Sequence, residues 1–290
     1  MTPGARSVLV YGDAQAEAIA LVLQSLPAVA ERNRIVYVRD DGTSDVAAET
    51  AEACDRFFEQ RSSKPFNPGL TIPKKAKRVR FPVLELHLLW PFCCPNPFNV
   101  PEPPEFPVGR FPCADTFIIN CAEQGMPAPL IRRRYVPEEW PAVWPSLDRS
   151  FQMESARLSA QDAQSDVKIG SFILKYFRKA RLFWAVNVPA NRLLAEVIYR
   201  LIDAGFDETE RCAREDIEAA VAGFSPRELL GGVSNPVHPL VAEHFALEWY
   251  DRDEALACPG DRELTFDQYT AELIDDIIRT RGRAAGKTPA

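Results

Sequence analysis

No uninterrupted apolar run in this 290-residue chain approaches the roughly 20 residues that a bilayer-crossing helix requires, so no spanning segment is expected. The opening stretch, residues 1–13, lacks a long apolar core and reaches Gly12 and Asp13 too soon to read as a secretory leader. Basic charge is in deficit. Lys and Arg number 34 against 41 Asp and Glu, a formal net charge of −7, which argues against nucleic-acid binding through a basic surface. Cysteine comes as an odd seven scattered over a long chain, the usage of a protein kept in a reducing cytoplasm. A Gly-x-Ser-x-Gly elbow, a Walker loop and a dinucleotide glycine fingerprint are all missing. Cys93 and Cys94 are adjacent, and Cys113 and Cys121 lie too far on for zinc-ribbon spacing, so no metal site is expected. What is present is core-forming: 46% hydrophobic and 10% aromatic residues exclude global disorder.

Proline is unevenly spread. Thirteen of the 25 prolines lie between Pro91 and Pro145, which rules out a long helix or a central strand there and predicts an extended excursion over a core built by the flanking segments. Before it the pattern is β–α–β. Ser7–Gly12 is a short β-branched run ending in glycine, and Ile19, Val22, Leu23 and Leu26 fall on one helical face ahead of Pro27. Arg34–Asp40 reads as a second strand, followed by a helix capped at Ser44 and a short strand near Phe57. Arg78–Leu86 and Ala114–Asn120 are further strand candidates, and Arg181–Asn187 another. Asp148–Gln164 predicts an exposed helix, Gly170–Phe177 an amphipathic one, and Leu193–Ile202 a strong one ended by Gly205. Thr265 and Gln268 form a capping box ahead of a stripe of Phe266, Tyr269, Leu273 and Ile277. The expected class is α/β: a short, parallel-rich sheet with flanking helices and a mostly helical C-terminal half, one domain over residues 1–290 with a frayed tail at 283–290.

The first place for chemistry is the turn after strand one. Gly12 lets backbone approach a ligand, the following helix start favours an anion, Asp13 caps the helix or orients a base, and Gln15 can polarise an oxyanion. Of the three histidines, His87 and His244 sit among apolar residues and read as core or interface positions. His238 lies in a Gly/Ser/Asn/Pro loop beside Asn235, where a base is free to meet a substrate. Lys74–Arg80 and the triplet Arg132, Arg133, Arg134 are local basic patches that could grip phosphate or simply face solvent.

In order and spacing these segments resemble the WcbI-type family of capsular-polysaccharide biosynthesis acetyltransferases. The carriers are Tyr11-Gly12-Asp13-Ala14-Gln15, Phe81-Pro82, Trp90-Pro91, Glu154, Asp166–Ile173, Leu182–Pro189 and His238-Pro239. The resemblance implies coenzyme A or an acyl-CoA as ligand, received by Gly12, Gln15, Arg132, Arg133 and Asn235. It also implies acetyl transfer to a sugar hydroxyl, with His238, Asp13 and Gln15 as the catalytic residues. Implied partners are a small-molecule acyl donor and a saccharide acceptor, with no nucleic acid and no membrane span; self-association or a biosynthetic-complex partner stays open. The departures fall at the chemistry. The family's cysteine is Ala14, its turn asparagine is Asp13, and the histidine of its Asn-His-Pro segment is Val188. The same turn resembles the Gly-Asp-Ser block of GDSL-type ester hydrolases, again with Ala14 at the nucleophile. Two readings follow: direct acyl transfer with His238 as base, or a catalytically inactive glycan- or nucleotide-binding relative that acts through a partner enzyme.

Overall fold

The structure, a computed structural model, describes residues 5–41, 48–61, 71–224, 234–260 and 262–285. Its centre is a parallel sheet of four strands in the order β2-β1-β3-β4, with β1 Arg6–Gly12, β2 Asn33–Arg39, β3 Arg56–Arg61 and β4 Lys77–Pro82. Alternation along β1 feeds both faces: Val8 and Val10 enter the main core, while Leu9 and Tyr11 join Val38 and Phe57 on the other side. Helix α1, Ala14–Ser25, starts where the Asp13 carboxylate accepts the Gln15 N–H, and it buries Ile19, Val22 and Leu23. A short α2, Pro27–Ala30, and α3, Ala48–Glu52, complete the first connections. Because β1 lies between β2 and β3, the chain reverses its winding beside β1, and the crevice beyond the carboxyl ends of β1 and β3 is where such sheets receive ligands.

The C-terminal half packs on this sheet. Helix α8, Asn191–Gly205, presses Leu193, Leu194, Val197, Ile198, Leu201 and Ile202 into the core. At Gly205 a Cβ would come 2.5 Å from the Phe58 ring, so glycine is what permits the close approach. Helices α6, Leu147–Ala163, α7, Gly170–Tyr176, and α9, Arg214–Gly223, surround it. The edge strand β4 is closed from outside: the Arg80 N–H donates to the Asp166 carboxylate at 2.7 Å, and the Arg80 carbonyl accepts from the Asp166 and Val167 N–H groups.

Several expectations need correction. The Ala114–Asn120 strand stops at β6, Cys113–Asp115, which pairs antiparallel with β5, Cys93–Pro95. From Thr116 the chain is helix α4, to Glu123, because the Asp115 carboxylate takes the Phe117 and Ile118 N–H groups. The Arg78–Leu86 strand ends at Pro82, and Arg181–Asn187 contributes only β7, Phe183–Ala185, hairpinned to β8, Val188–Pro189. Helix α6 is not merely exposed, since Leu147, Glu154 and Leu158 are buried. The proline-rich stretch is no surface excursion. With α5, Ala128–Tyr135, it builds a second core in which Phe92, Phe111, Ile131, Tyr135 and Trp144 meet Phe266, Tyr269, Leu273 and Ile277 of the last helix, α11, Phe266–Ala285. The expected Ser44 cap lies outside the described residues, and the helix covers residues 283–285 of the expected tail. The capping box is present: the Gln268 side chain accepts the Thr265 N–H at 3.0 Å. No helix among the described residues is long and apolar enough to cross a membrane.

Candidate functional site

Beyond the carboxyl ends of β1, β3 and β4 lies a cleft of about 490 Å³ lined by Asp13, Asp40, Arg61, Val83, Glu85, Arg157, Ala160, Gln161, Gln164 and Ser165. Its floor is the turn after β1. A Cβ at Gly12 would fall 2.2 Å from Gln60 Oε1, and the Asp13 N–H donates to that same oxygen at 2.8 Å. The Tyr37 hydroxyl donates to the Gly12 and Asp13 carbonyls. Burial pushes the Asp13 carboxyl above its ordinary range, against the Gln15 N–H and Gln60, which favour its charge. Ala14 is exposed at the first helical position.

Gln15 has a different task from the one expected of it. Its amide donates to the Leu84 and Asn187 carbonyls at 2.8 Å each, while its oxygen accepts from the Leu84 N–H and the Gln60 amide. Every hydrogen of that amide is used, so it clasps β3, the segment after β4 and the β7–β8 hairpin together and has no donor left for a ligand.

Next to Glu85 of the cleft wall, outside the lining itself, stands a group that sequence reading missed. His87 is 55% exposed and its Nε2 lies 3.6 Å from the Glu85 carboxylate, where a core or interface position was expected. The imidazole holds the Glu85 carboxyl below the ordinary range, with Arg157 adding to the effect against burial. Arg157 is fixed in turn by buried Glu154 at 2.6 Å and by the Glu85 carbonyl. The available signal was the i, i+2 spacing of Glu85 and His87, which puts both on one side of an extended segment.

His238 is elsewhere. It is 4% exposed, at the start of α10, Pro239–His244, and walled by the rings of Tyr135, Trp140, Trp144 and Phe266. Its Nδ1 accepts the Leu240 N–H at 3.2 Å, so the proton sits on Nε2, which donates to the Tyr135 carbonyl at 2.8 Å. Burial lowers its pKa and keeps the ring neutral. Both nitrogens are engaged, and the pocket around them offers about 50 Å³, room for a few waters. Asn235 shares that pocket, accepting the Trp90 indole N–H at its carbonyl and the Tyr269 hydroxyl at Oδ1. None of the residues lining this pocket lines the Asp13 cleft, so the expected reach of His238 to the turn is not what the fold provides. Arg132 and Arg133 line neither: Arg132 pairs with Asp275 of α11 at 2.6 Å, and Arg133 faces solvent on α5. His244, expected like His87 at a core or interface position, is about one third exposed and contacts Asp148.

The small pocket holds a thiol pair. A hydrogen bond with Cys93, joined by one from Asn235, lowers the Cys113 thiol against the effect of burial, while the same bond pushes Cys93 up. Cys113 is therefore expected to react with iodoacetamide at pH 7 faster than Cys94 or Cys212. Cys93→Ala removes that advantage. Peptide mass spectrometry across pH reads the rates, and equal labelling of Cys113, Cys94 and Cys212 would contradict the assignment.

Comparison with known proteins follows this division. The sequence model of the family described as "Polysaccharide biosynthesis enzyme WcbI" matches residues 7–205, which take in the whole sheet, the turn and α8 but stop short of the His238 loop. The fold is similar to a solved structure of WcbI, described as a novel polysaccharide biosynthesis enzyme in its native form without a disulfide bond between coenzyme A and a cysteine. The TM-score is 0.68 at 18% identity, covering 98% of this chain and 96% of that one. A search of curated proteins gives no match.

Proposed function

The chain belongs to the WcbI family of polysaccharide-biosynthesis enzymes, and on that premise we propose that it binds coenzyme A or its acyl thioester in the Asp13 cleft and passes the acyl group, acetyl by the family resemblance, directly to a saccharide hydroxyl. One observation carries this reading: the cleft sits at the winding reversal of the sheet, beside the start of α1, and Glu85 on its wall is paired with the exposed His87 next to it. The donor set fits a phosphate-bearing ligand in part. Arg61, Arg157 and the positive end of α1 favour it, while Asp13, Asp40 and Glu85 select against anions near the floor. When bound, the thioester supplies an activated carbonyl. Ala14 offers a methyl where a nucleophile would stand, so the acceptor oxygen itself attacks. His87 Nδ1 takes the hydroxyl proton as the new C–O bond forms and the C–S bond breaks, then returns it to the departing sulfur. Glu85 holds the imidazolium meanwhile.

Ala14 and Val188 also favour a second reading, a binding relative without catalysis. Calorimetry with coenzyme A and an acyl-transfer assay separate the two. Binding is expected, and His87→Gln is expected to lower transfer by about 100-fold with coenzyme A affinity unchanged. No heat at millimolar coenzyme A would remove the donor. Transfer unaltered in His87→Gln would remove the base, and binding with no transfer in the unmodified protein would establish the second reading.

A further inference from the structure

On the far side of α8, between α7 and α9, runs a groove of about 510 Å³ that the reading above does not use. Its walls carry Lys175, Arg192, Arg200 and Arg214 against Glu196 and Glu218, a local excess of two positive charges on a chain whose net charge is −7. The cations are not equivalent. Glu196 is buried and binds Arg200 at 2.7 Å and Arg214 through its other oxygen, so that carboxylate is spent on holding two guanidinium groups in place. Lys175 and Arg192 have no carboxylate within 4 Å among the described residues. Both instead lie against the Tyr176 ring, at 5.1 and 5.0 Å from its centroid, and Tyr176 meets Phe172 at 4.7 Å to form an aromatic floor.

Two fixed cations, two uncommitted ones and an aromatic floor make a site for a ring that carries negative charge. Cations already seated on a ring lose little freedom when an anion arrives, and the aromatic faces accept the C–H side of a pyranose. The saccharide class comes from family membership, not from the acyl-donor reading. We propose that this groove binds an anionic sugar, recognised through a phosphate or carboxylate by Lys175 and Arg192 and through its ring by Phe172 and Tyr176. The groove shares no lining residue with the Asp13 cleft, so this is a saccharide site separate from the place of acyl transfer.

The test is calorimetric titration of the full chain, with no coenzyme A present, using glucose 1-phosphate, glucuronate, neutral glucose and inorganic phosphate. Binding of either charged sugar, tighter than inorganic phosphate and with glucose silent, is the expected result. Glucose 1-phosphate alone would identify phosphate as the recognised group, and glucuronate alone a carboxylate. The double variant Lys175→Gln, Arg192→Gln is expected to weaken binding at least about tenfold. Its exposed positions leave the circular dichroism and Tm unchanged, and coenzyme A affinity is expected to be retained. No binding at 10 mM by any charged sugar, equal binding of glucose, or affinity unaltered in the double variant would overturn the proposal. So would a loss of coenzyme A binding in that variant, which would hand the groove to the acyl donor.

Discussion

Gln15→Ala is expected to destabilise the protein by about 3–5 kcal/mol, because one truncation strands several buried polar groups at once. The Leu84 N–H and carbonyl, the Asn187 carbonyl and the Gln60 amide all lose their partner, and the alanine methyl replaces none of it. A typical buried hydrogen bond nets about 1 kcal/mol, yet an orphaned buried group costs about 1–3, so the sum is set by what is left behind. Urea unfolding with linear extrapolation measures it. A loss below about 1 kcal/mol would mean that water replaces the amide and that the clasp is not structural. Coenzyme A affinity is expected to fall alongside, since this side chain joins the start of α1 beside the cleft floor to the β7–β8 hairpin.

A comparable loss is expected at the opposite end of the sheet. Glu210 is fully buried and receives both Arg56 nitrogens, at 2.8 and 3.2 Å, together with the Asn33 amide at 2.6 Å and the Asp207 N–H at 3.0 Å. Arg56, on β3, is itself buried. Glu210→Ala leaves its guanidinium in the core with Asn33 and Asp207 alone, at a cost of about 3–5 kcal/mol. The pH dependence has a definite sign. Burial raises the Glu210 carboxyl, but the Asp207 N–H, Asn33 and Arg56 together outweigh it and hold the group below the ordinary value of 4.5. Its contribution is therefore complete above that value and is lost as pH falls through the lowered one. Acid titration of stability shows a shallower fall in Glu210→Gln than in the unmodified chain; identical profiles would remove Glu210 as the source.

Local rules carried the sheet and missed its closures. The β-branched run Ser7–Tyr11 and the Asp13 cap announce β1 and α1 from neighbouring residues alone, and the structure agrees. Ala114–Asn120 failed because two adjacent isoleucines outvoted a single cap: Asp115 captures two N–H groups and turns the segment helical. The prolines excluded long elements correctly, yet composition could not show that short ones would share a core with the last helix of the chain. The family was legible because its short motifs keep their order along the chain. The roles within the site were not, since they depend on distance in space. Gln15 looks like a free amide until its partners, 45, 69 and 172 residues away, are known. His87 sits among leucines and a tryptophan that all point inward while it alone points out.

The Asp166–Val167 cover on Arg80 has a consequence for the protein in concentrated solution. An open parallel sheet ends in strands whose free backbone groups can recruit another chain, and β4 is such an end. Here a neighbouring loop of the same molecule occupies the middle of that strand, and Pro82 closes it with a residue that has no hydrogen to give. On that side growth of the sheet from one molecule into the next is halted by two backbone amides and one aspartate, which makes Asp166 a guard of solubility as much as a part of the fold.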